Sequence, residues 1–285
     1  MREKLPRRYV GPVLEKQVNS IKFFEFGHLA AQPGLVHGVA SRQGGESSGA
    51  FASLNISYGV GDDPEAVATN RRLICEASAI PVESLAMTRP CQGPDVAVVR
   101  KAELERAPEG WLVGPDKTDG LITTERGLFL MMSFGDCVPL LFYDPTSGAF
   151  SLTHAGWTGV VARMGERVVQ AMEREFGCKS QDLMVGIGPA IGPCCYQVGQ
   201  NVIDLARAAF PGRDELLVRQ PDGSMHFDLW EGNRRALLEA GVRPDNIELA
   251  GLCTFCHNEL FFSHRAQKGQ SGRFAAIIGL KAEDK

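Results

Sequence analysis

Short apolar runs separated by turn residues follow one another along most of the 285-residue chain. Runs of this kind, about four to eight residues long and bounded by Gly, Asp or Pro, are typical of buried strands. The segments that predict strands are LVHGVASR, DVAVVR, DGLITT, LFLMMSF, VPLLFY, AFSLTH, LMVGIG, IELAGL and RFAAIIGL. A turn signal, QGGESSG, follows the first of them.

Other stretches repeat apolar residues every three to four positions, which predicts amphipathic helices. One helix is expected to begin at Asp62 or Asp63, with Pro64 in its first turn. A second is expected to run through residues 158–177 and to end at Gly177, a residue suited to a helix C-terminus. Two more are predicted in VGQNVIDLARAAF and DLWEGNRRALLEAG.

The alternation of strands and helices predicts an α/β fold of the α+β type, in which helices cover mixed β-sheets. We expect residues 1–285 to form a single domain, with residues 1–20 as a peripheral N-terminal segment. The charged stretch at 101–119 contains Pro and Gly and is predicted to be a surface loop.

The composition of the chain argues against several classes of protein, namely nucleic-acid-binding, membrane and exported proteins. The formal net charge of −4 gives no reason to expect a nucleic-acid or acidic-membrane partner. No apolar stretch approaches the about 20 residues that a membrane span requires, and the N-terminus has no apolar run typical of a signal peptide. Eight cysteines without export signals favour reduced thiols in the cytoplasm. We therefore expect a cytoplasmic protein, a monomer or small homo-oligomer, that acts on a small molecule.

Cys137 and His154 stand out because they lie in otherwise apolar strand segments. The turn DPTSG joins the two segments. If Tyr143 pairs with Ala149 across it, Cys137 comes opposite Ala155, and His154 is one position away. A one-residue change in the loop would bring the two side chains onto one face, about 5 Å apart between Cβ atoms.

A cysteine beside a histidine supports two kinds of chemistry. The histidine can lower the pKa of the thiol and make Cys137 a nucleophile without any metal. Alternatively, Cys137 and His154 are ligands of a zinc or copper ion. A buried structural pair is the third interpretation, and spacing does not decide among them. Asp136, next to Cys137, is the nearest candidate for moving a proton.

Two further groups carry weaker signals. Cys253 and Cys256 have the C-x-x-C spacing of zinc or redox sites, but no second pair lies at a familiar distance, which favours a buried structural cluster. Arg265, Lys268 and Arg273 surround a glycine-rich turn. They form either a solvated loop or a cationic rim for phosphate or carboxylate.

Five segments together resemble the YfiH/laccase-domain family, and the resemblance runs from about residue 35 to residue 280. They are HGVASRQGGESSGAFASLNISYGVGDDPEAVATNRRLI, TDGLITTERGLFLMMSFGDCVPLLFYDP, SLTHAGWTGVVARM, GIGPAIGPCCYQVG and LCTFCHNELFFSHRAQKGQSGRFAAIIGL. The resemblance implies a single α/β domain whose metal pocket uses two histidines and one cysteine. Members have been described as polyphenol oxidases, as purine nucleoside phosphorylases with adenosine deaminase activity, and as peptidoglycan editing factors.

Carried over to this chain, the resemblance implies that Cys137 and His154 are metal ligands. Gln92 stands where the family has its other histidine, and a neutral amide oxygen is a poorer zinc ligand than imidazole. His37 could replace it only if the fold brought His37 close. The expected cofactor is Zn²⁺, with Cu²⁺ as the second choice, held weakly or not at all.

The resemblance also implies that Arg42, Asn55 and Arg265 bind substrate, while Cys137, His154 and Asp136 are catalytic. The preferred function is an enzyme that acts on purine nucleosides with phosphate, through phosphorolysis of adenosine or inosine and deamination of adenosine. The alternative is a non-catalytic or altered-specificity relative whose degraded metal site binds a nucleotide-like or cell-wall precursor ligand. Copper-dependent phenol oxidation is the least favoured, because it normally needs several linked copper centres.

Overall fold

The computed structural model describes residues 13–88 and 91–282. The strands within these ranges are β1 Val13–Val18, β2 Ile21–Phe26, β3 Leu35–Ala40, β4 Leu85–Met87, β5 Val96–Val98, β6 Glu105–Arg106, β7 Leu112–Val113, β8 Gly120–Thr123, β9 Phe129–Phe134, β10 Val138–Tyr143, β11 Phe150–Ala155, β12 Met184–Ile187, β13 Leu217–Arg219, β14 Met225–Phe227, β15 Ile247–Leu249 and β16 Phe274–Leu280. The helices are α1 Gly27–Ala30, α2 Pro64–Ala77, α3 Trp157–Val161, α4 Met164–Phe176, α5 Gln200–Ala209 and α6 Leu229–Glu239.

The strands form two large mixed sheets and one small one. The eight-stranded sheet has the order β1-β2-β3-β16-β9-β4-β7-β6, and the six-stranded sheet has the order β15-β12-β10-β11-β8-β5. Strands β13 and β14 pair as a separate antiparallel ribbon. Most neighbours are antiparallel, but β4 is parallel to both β7 and β9, β5 is parallel to β8, and β12 is parallel to β15.

The two large sheets pack face to face and helices cover their outer faces. Because side chains alternate along a strand, Leu140 and Phe142 of β10 pack in the cluster with α3 to α6, whereas Leu141 packs in the cluster between the sheets. In β9, Leu130 faces the second sheet and Met131 faces α2. The result is a four-layer α/β/β/α sandwich with three buried apolar clusters, which confirms the predicted α+β fold of mixed sheets under helices.

Each segment predicted to be a strand contains one. The helix predicted at residue 62 or 63 is α2, where the Asp63 side chain accepts a hydrogen bond from the Glu65 backbone N–H and Pro64 is the first helical residue. Its start is therefore confirmed. None of the described helices is long and apolar enough to cross a membrane.

Three local predictions are corrected. In the β10–β11 hairpin, Tyr143 pairs with Phe150 rather than Ala149, so the register differs by one residue from the expected pairing. The single helix predicted over 158–177 is two helices, α3 and α4, because Arg163 between them is left-handed with φ 57°. The predicted surface loop at 101–119 includes strands β6 and β7 and a buried Trp111.

The predicted peripheral segment, residues 1–20, is described only from residue 13. Within it, β1 pairs with β2 at one edge of the eight-stranded sheet. Residues 14–17 of this strand are exposed, as expected for an edge strand that covers no core.

His37 in β3 makes the fold sensitive to acid. Its Nε2 accepts the Phe26 backbone N–H at 2.9 Å. Burial, together with the nearby charge of His28, lowers the pKa of His37 from 6.5 to about 3. The unfolded chain takes up a proton below about pH 6.5, whereas the folded chain keeps this histidine neutral until about pH 3, so stability falls as the pH drops through this window.

We expect a His37→Gln variant to lose less stability on acidification than the unmodified protein. Between pH 7 and pH 5, the free energy of unfolding should fall by about 2 kcal/mol less in the variant than in the unmodified protein, because glutamine does not titrate. Urea unfolding at the two pH values measures it. Equal losses in both proteins would show that His37 is not the group responsible.

Candidate active site

A cavity of about 1070 Å³ lies at one end of the two packed sheets. The turn at residues 135–137 crosses from β9 in the eight-stranded sheet to β10 in the six-stranded sheet. His154 lies near the end of β11, and Arg273 directly precedes β16. Strand ends from both sheets therefore supply the lining, which includes Tyr58, Arg71, Gln92, Trp111, Ser133, Gly135, Cys137, His154, His264 and Arg273.

Cys137 and His154 come together as the sequence predicted, with both side chains beside Gly156. A Cβ atom at Gly156 would lie 3.0 Å from Cys137 Sγ and 3.9 Å from His154 Cε1, so a larger residue there would crowd the Cys137 sulfur. Burial alone would lower the pKa of His154. The negative charge of Cys137 and hydrogen bonds with Asp119 and Cys137 outweigh burial and raise that pKa to about 10.

Asp119 orients His154. Its buried carboxylate accepts the His154 Nδ1–H at 2.7 Å, which leaves Nε2 on the Cys137 side of the ring. The same carboxylate accepts the backbone N–H groups of Cys91, Gln92 and Gly93 at 2.9 to 3.1 Å. Burial would raise the pKa of Asp119, but these hydrogen bonds lower it to about 2. Asp119 was not predicted as a site residue, because an Asp-Gly pair before a strand is also typical of a turn.

Gln92 shares the cavity with Cys137 and His154. Its left-handed backbone, with φ 62°, and its N–H bond to Asp119 fix the loop, while the side chain is exposed. Cys137, His154 and Gln92 are thus the residues that could hold a metal ion here, offering a thiolate, an imidazole and an amide oxygen. A carboxylate behind a ligating histidine is the usual arrangement around such sites.

Another part of the cavity lining combines a cation with two aromatic rings. The Arg71 guanidinium carbon lies 4.3 Å from the Tyr58 ring centroid and 4.5 Å from that of Trp111. Arg71 Nε also donates to the Ile56 carbonyl at 2.9 Å. The Tyr58 hydroxyl is buried and has no hydrogen-bond partner among the described residues. None of these three side chains was predicted, because they meet only in the folded chain.

Arg273 brings a second cation to the cavity. Its Nη1 donates to the carbonyls of Ser271 and Gly272 at 2.7 and 2.9 Å. Burial lowers the pKa of Arg273, and negative charge on Cys137 opposes that shift. A Cβ atom at Gly135 would lie 2.9 Å from Arg273 Cδ, so this glycine makes room for the arginine. The cationic rim considered in the sequence analysis thus reaches the cavity through Arg273.

Two of the predicted substrate-binding residues are instead tied to backbone. Arg42 donates to the Ala52 carbonyl at 2.7 and 2.9 Å and to the Asn258 carbonyl at 3.0 Å. Asn55 is fully buried, and its Oδ1 accepts the Arg273 backbone N–H at 2.8 Å. Neither side chain is part of the cavity lining that the described residues form.

Asp136 and Arg265 support the cavity from behind. The Asp136 carboxylate accepts the Thr254 hydroxyl at 2.7 Å and the Arg265 backbone N–H at 2.6 Å. The Arg265 guanidinium donates to the Gln197 carbonyl at 3.1 Å and lies 5.1 Å from the Tyr196 ring centroid. Among the described residues that line the cavity, neither Asp136 nor Arg265 is present. His37, in β3, lines a different cavity.

Comparison with known proteins agrees with this architecture. Residues 36–281 match a family described as Multi-copper polyphenol oxidoreductase laccase. The chain is 39% identical over 251 residues to the purine nucleoside phosphorylase YlmD of Geobacillus stearothermophilus, covering 88% of this chain and 92% of that protein. It is 32% identical over 232 residues to adenosine deaminase RL5 of an unknown prokaryotic organism, covering 79% and 86% of the two chains.

The fold is shared with solved structures as well. The crystal structure of YlmD from Geobacillus stearothermophilus superposes with a TM-score of 0.86 at 36% identity, covering 95% of this chain and 100% of that one. The fold and the cavity at its strand ends thus define a laccase-like protein of the YfiH type. The chain belongs to the Multi-copper polyphenol oxidoreductase laccase family.

Proposed function

We propose that this chain is an enzyme that cleaves purine nucleosides with inorganic phosphate and also deaminates adenosine. The observation that carries the proposal is the cavity itself, which joins the Cys137–His154–Asp119 group to a wall of aromatic rings and arginines. Purine nucleoside phosphorylase and adenosine deaminase are the names of relatives that align with most of the chain. We place this activity in the cytoplasm.

The cavity suits a nucleoside in size and chemistry. Its about 1070 Å³ is at the upper end of the volume that small-molecule sites usually have, enough for a nucleoside beside a phosphate ion. Tyr58 and Trp111 offer flat apolar surface to a purine. The unpartnered Tyr58 hydroxyl offers a hydrogen bond to a base nitrogen or a ribose hydroxyl.

Arginines in the same cavity suit the phosphate. In phosphorolysis a phosphate oxygen bonds to the anomeric carbon of ribose, the bond from that carbon to the purine nitrogen breaks, and its electron pair stays on the base, which then takes a proton. Arg71 and Arg273 are charged at all relevant pH values and can position and neutralise the attacking phosphate. Asn55 and Asp136 act as positioning residues, since each holds an adjacent backbone segment.

The donor set also fits a metal ion. Cys137 and His154 are two good zinc ligands, and Gln92 is a weaker third. The hydrogen bond from His154 to Asp119 keeps the imidazole in the tautomer that binds a metal through Nε2. A thiolate and an imidazole are also ligands of copper, which keeps Cu²⁺ as the second choice. Zn²⁺ bound there would polarise a water molecule, which suits replacement of the purine amino group by oxygen.

The test is to identify products by chromatography. Purified protein is incubated with adenosine or inosine, with and without phosphate and added Zn²⁺, beside an identically purified Cys137→Ala variant. We expect free base to form only when phosphate is present, and inosine to form from adenosine with or without phosphate. If neither product exceeds that of the variant, the proposal is wrong.

The exposed Gln92 supports a second candidate function. A weak third ligand would suit a protein that binds a nucleotide-like or cell-wall precursor ligand without turning it over. A nucleoside that binds but is not converted in the same incubations would favour this binding role.

We expect a Gln92→His variant to hold zinc about 10-fold more tightly, because imidazole replaces an amide oxygen beside Cys137 and His154. Competition with a chromophoric chelator measures the affinity. A Gln92→Asn variant is the matched control, since it keeps an amide. Unchanged affinity in Gln92→His would place residue 92 outside the ligand set.

A further inference from the structure

Four cysteines outside the active-site cavity converge at the ends of two neighbouring strands. Strands β12 and β15 are parallel, so the loops that follow them leave the same edge of the sheet. A further bridge between Ala190 and Cys253 keeps these loops side by side. One loop carries Cys194 and Cys195, and the other carries Cys253 and Cys256. The four sulfur atoms all lie within 4.8 Å of one another.

The separations match metal coordination. Cys195 Sγ and Cys194 Sγ lie 3.4 and 3.7 Å from Cys256 Sγ. Tetrahedral zinc with Zn–S bonds of about 2.3 Å holds its sulfurs about 3.8 Å apart. A disulfide requires about 2.05 Å, and all four cysteines are free thiols in the structure.

The surroundings favour negative charge on sulfur. The Gly192 backbone N–H donates to Cys253 Sγ at 3.2 Å. Neighbouring thiolates repel one another, so the group can ionise fully only around a cation.

We infer that Cys194, Cys195, Cys253 and Cys256 form a second metal site, which binds Zn²⁺ through four thiolates. Four protein ligands complete a tetrahedral shell and leave no open position, so the site is structural. Soft thiolates prefer zinc to the hard divalent cations. In the sequence, no second cysteine pair lies at a familiar distance from Cys253 and Cys256. The fold supplies that second pair as the adjacent residues Cys194 and Cys195.

This zinc site joins the two loops that support the active-site turn. Thr254, between Cys253 and Cys256, donates its hydroxyl to Asp136. Tyr196, directly after Cys195, lies beneath the Arg265 guanidinium, and the Arg265 backbone N–H donates to Asp136. Zinc at the cysteines therefore fixes both loops behind the turn that carries Cys137.

The experiment counts zinc in the full-length protein by mass spectrometry after loading with Zn²⁺ and removal of excess. Cys194→Ser and Cys256→Ser are each expected to lose one equivalent of zinc that Cys137→Ser keeps. Cys178→Ser, which removes a buried thiol outside both sites, should match the unmodified protein. Cys256→His should restore the lost equivalent, because imidazole can replace a thiolate.

A second measurement does not require any variant of the four cysteines to fold. Co²⁺ loaded into the unmodified protein and into Cys137→Ser should give the intense visible absorption of a tetrahedral cobalt tetrathiolate in both. A disulfide among the four cysteines, an iron–sulfur absorption, or equal zinc content in Cys194→Ser and the unmodified protein would overturn the proposal. Nucleoside turnover enters neither measurement, so an inactive protein with this zinc site leaves the inference standing.

Discussion

A Cys137→Ser variant is expected to lose about 10³-fold or more in kcat/KM for purine nucleosides. Cys137 contributes its sulfur to the cavity, and its electrostatic interaction with His154 is a main cause of the raised pKa of that histidine. A serine hydroxyl is neither a comparable zinc ligand nor a comparable nucleophile at neutral pH. A loss of this size corresponds to about 4 kcal/mol of transition-state stabilisation, the scale on which a group that contacts the reacting atoms contributes.

The matched control is Cys178→Ser. Cys178 is also a poorly exposed thiol, but its sulfur lies 3.4 Å from Ser147 Oγ, outside the cavity. We expect this variant to keep turnover within about twofold, in line with the small effects of changes away from a reaction centre. Similar losses in the two variants would mean that the chain needs thiols for folding and that Cys137 has no special part in the reaction.

An Asp119→Asn variant is expected to hold zinc at the Cys137 site about 10- to 100-fold more weakly, the usual cost of removing the partner of a ligating histidine. In the unmodified protein, one carboxylate oxygen of Asp119 accepts from His154 and the other accepts from loop N–H groups. An asparagine amide has only one oxygen acceptor, so one of these sets of hydrogen bonds is lost. In the zinc-bound protein, where the ligating His154 is neutral, the ring would then be free to take the other tautomer, with its hydrogen on Nε2. Zinc competition titrations measure the affinity, and nitrogen NMR of His154 reports the tautomer.

Asp116→Asn is the control for this variant. Asp116 is an exposed residue that lines the cavity, so the change removes one negative charge near the site without touching His154. We expect its zinc affinity to stay within about twofold of the unmodified protein, as for exposed charges in general. An Asp119→Asn protein with unchanged affinity and tautomer would show that Asp119 holds the loop but does not orient the histidine.

Local patterns were enough to predict most of the secondary structure. Asp63 and Pro64 fix the start of α2 through their own backbone chemistry, which does not depend on the rest of the fold. The break at Arg163 lies within a helical pattern that continues on both sides. Arg163 also forms an ion pair with Glu239 of α6, and no local pattern connects these two residues. The order of strands in the two sheets is likewise set by pairings distant in sequence.

Some residues of the candidate active site could be predicted from local sequence, and others could not. Cys137 and His154 could be placed together because one hairpin carries both, and an error of one residue in its register did not separate them. Arg71 and Trp111 come from distant segments, so neither spacing nor local pattern could bring them to one wall. Backbone carbonyls that only the folded chain presents hold the Arg42 guanidinium, and its role in substrate binding stays a prediction.

The turn that crosses from one sheet to the other lies at the edge of the buried core. Residues on this turn and on the neighbouring loops can therefore change the chemistry of the cavity without changing the core that holds the fold together. Many of the residues that fill the apolar layers lie along the strands, whereas Gln92 and Cys137 reach the cavity from a loop and from a strand end. Gln92 is exposed, so a different side chain at this position would leave those layers intact. Selection can therefore retune which ion or substrate such a protein accepts through single substitutions that leave foldability unchanged.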